Sequence, residues 1–200
     1  MGKPSMLSNG PLDIELGCGA HKRSGRSVGV DNRALPGVDI VGDALEVLRS
    51  LPTNSVRSIS SFHFVEHVDY LEDLLIESAR VLTHDGVFRA TAPHFSNPYY
   101  YSDPTHRRFF GLYTLSYYVN DTILRRRVSH YSDTPIPLKI SKVSLRFMST
   151  PPFHGRRLFK RLAGALFTVN NWALEFYEEN LCWLVPCYEV EWELRPDDRG

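Results

Sequence analysis

Residues 13–25 read DIELGCGAHKRSG, an apolar run followed by two glycines around a cysteine. Loops of this kind let a backbone approach a nucleotide closely. A dinucleotide's pyrophosphate needs more: a third glycine, a helix N-terminus facing the phosphates, and an acid about 20 residues further on. Here Lys22 stands at the third glycine position and the stretch AHKRSGR lacks the apolar periodicity of a helix. Asp31 follows Gly17 by only fourteen residues. NAD therefore fits poorly. S-adenosylmethionine carries no phosphate and needs a close turn at its amino-acid end, a carboxylate for its ribose hydroxyls and polar contact at adenine. Gly17, Cys18, Gly19 and Ala20 supply the turn, and Glu15 either orders it or meets the ammonium. His21, Lys22 or Arg23 are the cations available to the methionine carboxylate. Asp31-Asn32 and Asp43-Ala44 end the next two apolar runs, where ribose and adenine would lie.

A second stretch, PHFSNPYYYSDPTHRRFF, covers residues 93–110. A hydroxyl that attacks an activated methyl group needs a base near its working pH, and histidine is the natural one. His94 and His106 are the candidate bases, with Asp103 three residues before His106 and placed to orient its ring. Tyr99 and Tyr101, in the run of three tyrosines, either stack on an acceptor or pack this segment. Arg107 and Arg108 offer positive charge to an anionic acceptor. Magnesium on Asp103, His106 and His94 is disfavoured because that ion prefers oxygen ligands, so no metal is expected. His63 and His67, in FHFVEHV, suit ring packing or a backbone hydrogen bond better than proton transfer. Cys18 has no base near it in sequence and reads as a small loop residue.

The elements that must position these groups alternate. Strands are predicted over 12–16, 27–32, 38–43 and 56–64, and a helix over 70–82 puts Leu71, Leu74, Leu75, Ala79 and Leu82 on one stripe. Asp85-Gly86 reads as a turn into a fifth strand, GVFRATAP, stopped by Pro93. Such spacing predicts an α/β, Rossmann-like fold with a mostly parallel sheet, closed by an antiparallel C-terminal strand at YEVEWEL. The chain reads as one domain over 1–200, with a flexible N-terminus over 1–11 and a substrate-side insertion over 94–135. Residues 155–180 place Leu158, Leu162, Ala165, Leu166, Val169, Trp172, Ala173 and Phe176 at helical spacing, a stripe expected to face the core rather than a membrane.

Two hundred residues, 42% hydrophobic and 23% charged, suit a soluble domain with a sizeable core. There is no apolar run of membrane-spanning length, and MGKPSMLSNG lacks the apolar region of a secretory signal. Three cysteines without metal spacing point to reduced thiols and a cytoplasmic setting. The zero net charge hides an asymmetry. Residues 105–161 hold twelve Lys or Arg against Asp121 and Asp133, a local charge of +10 that the remainder balances. Such a block is either a solvated face or a surface for an anionic partner. That partner would be a small-molecule or glycan acceptor, or the inner membrane face touched peripherally by Arg156, Arg157, Lys160 and Arg161. Nucleic acid fits less well, since the aromatics are not interleaved with the basic run.

ELGCG, GVD, GDA, FHFVEHV, ARVLTHDGVF and YEVEWEL together resemble a class I S-adenosylmethionine-dependent methyltransferase. The branch it resembles most is type 11-like with a shortened first crossover, and many of its members sit among glycan-biosynthesis enzymes. The resemblance covers roughly residues 12–110 and 180–195, and FHFVEHV followed by RVLTHDG is its most specific part. It implies S-adenosylmethionine as cofactor, in a pocket lined at Gly17, Cys18, Gly19, Asp31, Asp43 and His63, to which we add Phe64. The expected activity is O-methylation of a sugar hydroxyl in an anionic glycan precursor. Methylation of RNA or a nucleobase, and a non-catalytic cofactor-binding scaffold, are the alternatives.

Overall fold

The computed structural model describes residues 10–130 and 136–197, so all but the last two residues of the expected flexible N-terminus lie outside the described residues. Five strands run parallel: β1 (Leu12–Leu16), β2 (Val28–Asp31), β3 (Ile40–Val41), β4 (Val56–Phe62) and β5 (Leu82–Pro93). β6 (Val119–Asp121) pairs in parallel with β7 (Ile136–Arg146), and β8 (Glu189–Pro196) lies antiparallel between β5 and β7. The sheet order is β3-β2-β1-β4-β5-β8-β7-β6. The helices are α1 (Ala44–Ser50), α2 (Leu71–Val81), α3 (Arg157–Phe167) and α4 (Asn171–Asn180).

This is the Rossmann-like α/β sheet with an antiparallel C-terminal strand that the sequence predicts. One detail differs. Val56 pairs with Leu82 and Ser58 with Val87, so residues 83–86 bulge out of a strand that is already under way. Asp85-Gly86 therefore lies in a bulge of β5 and does not start the strand.

Parity along the strands separates two faces. Phe88, Ala90 and Ala92 of β5 sit opposite Leu194, Trp192 and Val190 of β8, all buried. Leu48 of α1 and Leu71, Leu74 and Leu75 of α2 join them in one core cluster. The other face carries charge: Arg89 pairs with Glu193 at 3.2 Å and Arg146 with Glu191 at 2.7 Å. The β1–β2 and β2–β3 crossovers contain no helix, so nothing apolar is needed on that side.

The segment 155–180 departs from expectation. It breaks at 168–170, where the Asn170 side chain accepts a hydrogen bond from the Ala173 amide and caps α4. Of the stripe expected in the core only Ala173 is buried, and the rest faces outward: Leu158 is 69% exposed, Leu162 61%, Leu166 64% and Val169 69%. Periodicity identifies an amphipathic helix but not which side finds a partner. The apolar sheet face is already covered by α1, α2 and the residues after β5, among them Phe110, Leu112 and Leu115. α3 instead lays its small side, Ala163 and Gly164, toward Phe147.

Candidate functional site: the glycine turn and the adjoining pocket

Gly17 and Gly19 both have positive φ, +64° and +58°. A Cβ at Gly17 would lie 2.5 Å from Cδ2 of Phe64, so only glycine lets that ring cover the turn. Three carboxylates hold the crossover where a helix is missing. Glu15, buried, accepts from the Arg23 amide at 3.1 and 3.0 Å. Asp39 accepts from Lys22 Nζ at 2.6 Å and from the Gly29 amide at 2.7 Å, and these bonds hold its carboxyl below the usual range. Asp31 Oδ2 accepts from the Gly19 amide at 2.9 Å. Glu15 thus orders the loop. Lys22 is committed to Asp39, and the Arg23 guanidinium lies 4.0 Å over the Phe62 ring. His21 is exposed, and the Cys18 thiol packs behind the loop near Gly29, where burial raises its pKa.

Beyond the turn opens a crevice of about 680 Å³ at the carboxyl ends of the strands. Gly17, Asp31, Asn32, Asp43, Ala44, His63 and Phe64 line it. Glu15, Cys18, Gly19, Ala20 and His21 support the turn from outside the lining. Asp31 Oδ1 accepts from the Arg33 amide at 3.0 Å, and each carboxylate oxygen keeps a lone pair for a hydroxyl. Asp43 caps α1 by accepting from the amides of Leu45 and Glu46. It also accepts from the Tyr70 hydroxyl at 2.6 Å, and burial followed by that bond raises the phenol's pKa. Sequence reading missed Tyr70 and Thr105, which line the crevice from loops with no motif to mark them.

A second pocket, about 280 Å³, shares His63 and His67 with the crevice and adds Tyr99, Tyr100, Asp103 and His106. Nδ1 of His106 lies 2.8 Å from the Tyr100 carbonyl, so it must donate there, leaving the lone pair on Nε2. The carbonyl orients this ring; Asp103 Oδ2 is 3.7 Å from Nε2, while Oδ1 accepts from the Thr105 amide and hydroxyl. His67 Nδ1 faces Thr105 Oγ1 at 3.0 Å, whose proton is given to Asp103, so His67 also donates through Nδ1. Its Nε2 carries the lone pair, 3.9 Å from Glu66.

His63 is different. It holds a left-handed backbone at φ 50°, with Nε2 2.8 Å from Glu189 and Nδ1 3.3 Å from Glu66. Those carboxylates, Glu189 first, raise its pKa to about 9, so it is an imidazolium at neutral pH. Glu66 is fully buried and its oxygens accept no hydrogen bond of good geometry; the His63 charge is what faces it. Glu66, His67 and His106 bring one potential metal-ligand atom each within 4.8 Å of one another.

Other expected residues lie elsewhere. His94 is fully buried: the Ser96 amide donates to Nδ1 at 3.1 Å, and Nε2 donates to Glu178 at 3.0 Å. The candidate base His94 thus lies outside the linings of both the crevice and the pocket that holds His106. Phe88, Ala90, Ala92 and His94 share one parity, and that parity points into the core. Arg108 donates to the carbonyls of Val68 and Asp69, fastening its segment to residues 65–70 and not to an acceptor. Tyr101 is 61% exposed against Phe109 and outside the pocket. Arg107 is exposed, and its amide donates to the Glu66 carbonyl.

Residues 15–90, which contain the turn, both strand-end acids and the HFVEH segment, match the family described as a methyltransferase domain. Over that segment and in its fold the chain is similar to class I S-adenosylmethionine-dependent methyltransferases. The chain is similar in structure to a SAM-dependent methyltransferase from Archaeoglobus fulgidus, with 18% identity over 94% of this chain and 87% of that one, TM-score 0.59. It also resembles a putative sarcosine dimethylglycine methyltransferase from Galdieria sulphuraria, with 15% identity over 96% and 80%, TM-score 0.53. A third similar structure is the [4+2]-cyclase SpnF, at 14% identity over 96% and 77%, TM-score 0.51. At these identities the likeness is one of fold, and the cyclase shows that fold alone does not choose the reaction. No curated protein sequence matches the chain. S-adenosylmethionine is the cofactor that the matched methyltransferase domain implies, and the crevice suits it: a turn that a Cβ would fill, an acid with free lone pairs, and no helix N-terminus in the first crossover for a pyrophosphate.

Proposed function

We propose that this methyltransferase acts on a sugar hydroxyl of an anionic glycan precursor. What supports the reading most is the pair of imidazoles, His67 and His106, whose Nε2 lone pairs stand in a small pocket that opens onto the cofactor crevice. When bound, S-adenosylmethionine supplies an already activated methyl group. The chain's own residues then align a hydroxyl and take its proton. His67 borders both cavities, so its Nε2 receives the proton from the attacking hydroxyl. His106, with ring centroid 5.0 Å from that of His67, and Asp103 beyond it lead the proton toward solvent. Tyr99, 45% exposed at the pocket wall, offers an aromatic face to a sugar ring. The basic stretch that includes Arg107 favours an acceptor carrying phosphate or carboxylate.

The test is transfer of labelled methyl from S-adenosylmethionine to a panel of nucleotide-linked sugars, lipid-linked glycans and RNA, read by mass spectrometry. Label in an O-methyl sugar is the expected result. Label in RNA with none in any glycan would overturn the proposal.

A further inference from the structure

We propose that α3, α4 and the turn after them form a docking surface for an anionic phospholipid bilayer. In α3, Leu158, Leu162, Ala165 and Leu166 fall at i, i+4, i+7 and i+8, and all face solvent, with Phe159 beside them. The opposite side, at Lys160 and Ala163, is buried. Val169, Trp172 and Phe176 carry the apolar surface on into α4, the two rings stacked at 5.3 Å. Trp183 (66% exposed) and Leu184 (77%) follow directly in the turn. Monomeric proteins rarely leave an apolar surface of this extent in water.

Charge selects the occupant. Arg157 and Arg161, one turn apart, border the leucine face, and among the described residues neither has a carboxylate partner. With His154, Phe147, Met148 and Ser149 they line a depression of about 320 Å³. The Arg156 guanidinium lies 5.0 Å over the exposed Phe153 ring. Lys160 does not belong to this basic group, since it donates to the Pro186 carbonyl and burial lowers its pKa. Leucines and aromatics on one side with arginines along the border is the arrangement of a helix lying in a bilayer interface. The apolar side chains enter the acyl boundary and the guanidinium groups meet phosphates. Arginines in the first turns also oppose the helix dipole, and an anionic lipid surface offsets that repulsion.

The surface is continuous with the site. Tyr99 and Tyr188 line both the acceptor pocket and a narrow cleft that reaches Arg156 and Lys160. That cleft shares Met148 and Ser149 with the depression beneath Arg157 and Arg161. Docking is independent of which acceptor is methylated, and it is measured without turnover.

The full chain is mixed with vesicles of phosphatidylcholine alone or of phosphatidylcholine with phosphatidylglycerol, and binding is read by flotation and tryptophan emission. Binding to the anionic vesicles is expected, with a blue shift from Trp172 and Trp183. Arg157→Glu with Arg161→Glu should weaken it by about fivefold for each arginine. Leu158→Asp with Leu162→Asp should weaken it by about tenfold for each leucine. Since these side chains are exposed, neither variant should lose Tm, and the arginine reversals should raise it slightly by relieving the clash with the helix dipole. Quenching of the wild-type tryptophans by brominated acyl chains provides a readout that needs no variant. The inference is overturned if the wild type ignores anionic vesicles, if both variants bind as the wild type does, or if bromine leaves the emission unchanged. It is equally overturned if the lipid-free wild type is a dimer that Leu158→Asp dissociates, since the face would then belong to a second copy.

Discussion

Replacing Gly17 by alanine, with Gly19→Ala as its control, tests whether the glycine turn is held as described. Both residues are left-handed, which penalises an alanine by roughly 1–2 kcal/mol. Alanine also restricts the unfolded chain, which returns about 0.4–1 kcal/mol. At Gly19 nothing lies within 4 Å of the new methyl, so the net loss should be about 1 kcal/mol or less. At Gly17 the methyl would stand 2.5 to 2.7 Å from three atoms of the Phe64 side chain, so that ring must move. Overpacking of this kind adds about 1–3 kcal/mol, for a total near 2–4 kcal/mol. Because Phe64 lines the crevice, its displacement should also lower S-adenosylmethionine affinity, by about tenfold for each 1.4 kcal/mol lost. Urea denaturation and titration calorimetry on the two variants measure both effects. Equal losses at the two positions would refute the reasoning, because only the Phe64 contact distinguishes them.

Three further outcomes are expected. His67→Ala should lower turnover by about 10²–10⁴-fold and His106→Ala should lower it less, with cofactor Kd unchanged in both, whereas His94→Ala should lower Tm; steady-state kinetics beside thermal melts separate the roles. His63 has a folded-state pKa raised to about 9, so the stability it contributes is fully present below about pH 6.5 and is lost as pH rises through 9. Melting the apo protein across that window should show a decline that His63→Gln flattens. EDTA should leave activity intact, because the His63 charge already faces Glu66; loss restored by manganese would instead make Glu66, His67 and His106 metal ligands.

Much of the cofactor crevice was legible in the sequence because its determinants are local. Strand ends, a glycine pair and acids that terminate apolar runs lie within residues 12–44, and backbone stereochemistry alone places them at one sheet edge. The absence of a first helix was equally readable, since AHKRSGR has no apolar face to bury. What holds that loop was not readable. The bonds from Glu15 to the Arg23 amide and from Asp39 to Lys22 require knowing how the chain returns. The surroundings of the histidines were decided by contacts across long separations. Glu189 meets His63 from 126 residues away and raises its pKa, and Glu178 accepts a hydrogen bond from Nε2 of His94 from 84 residues away. α3 makes the same point for packing. Its sequence determines an apolar stripe, but only the prior claim of α1, α2 and residues 110–115 on the sheet face decides that the stripe looks outward. Periodicity says which residues share a face, and the neighbours already in place decide where that face points.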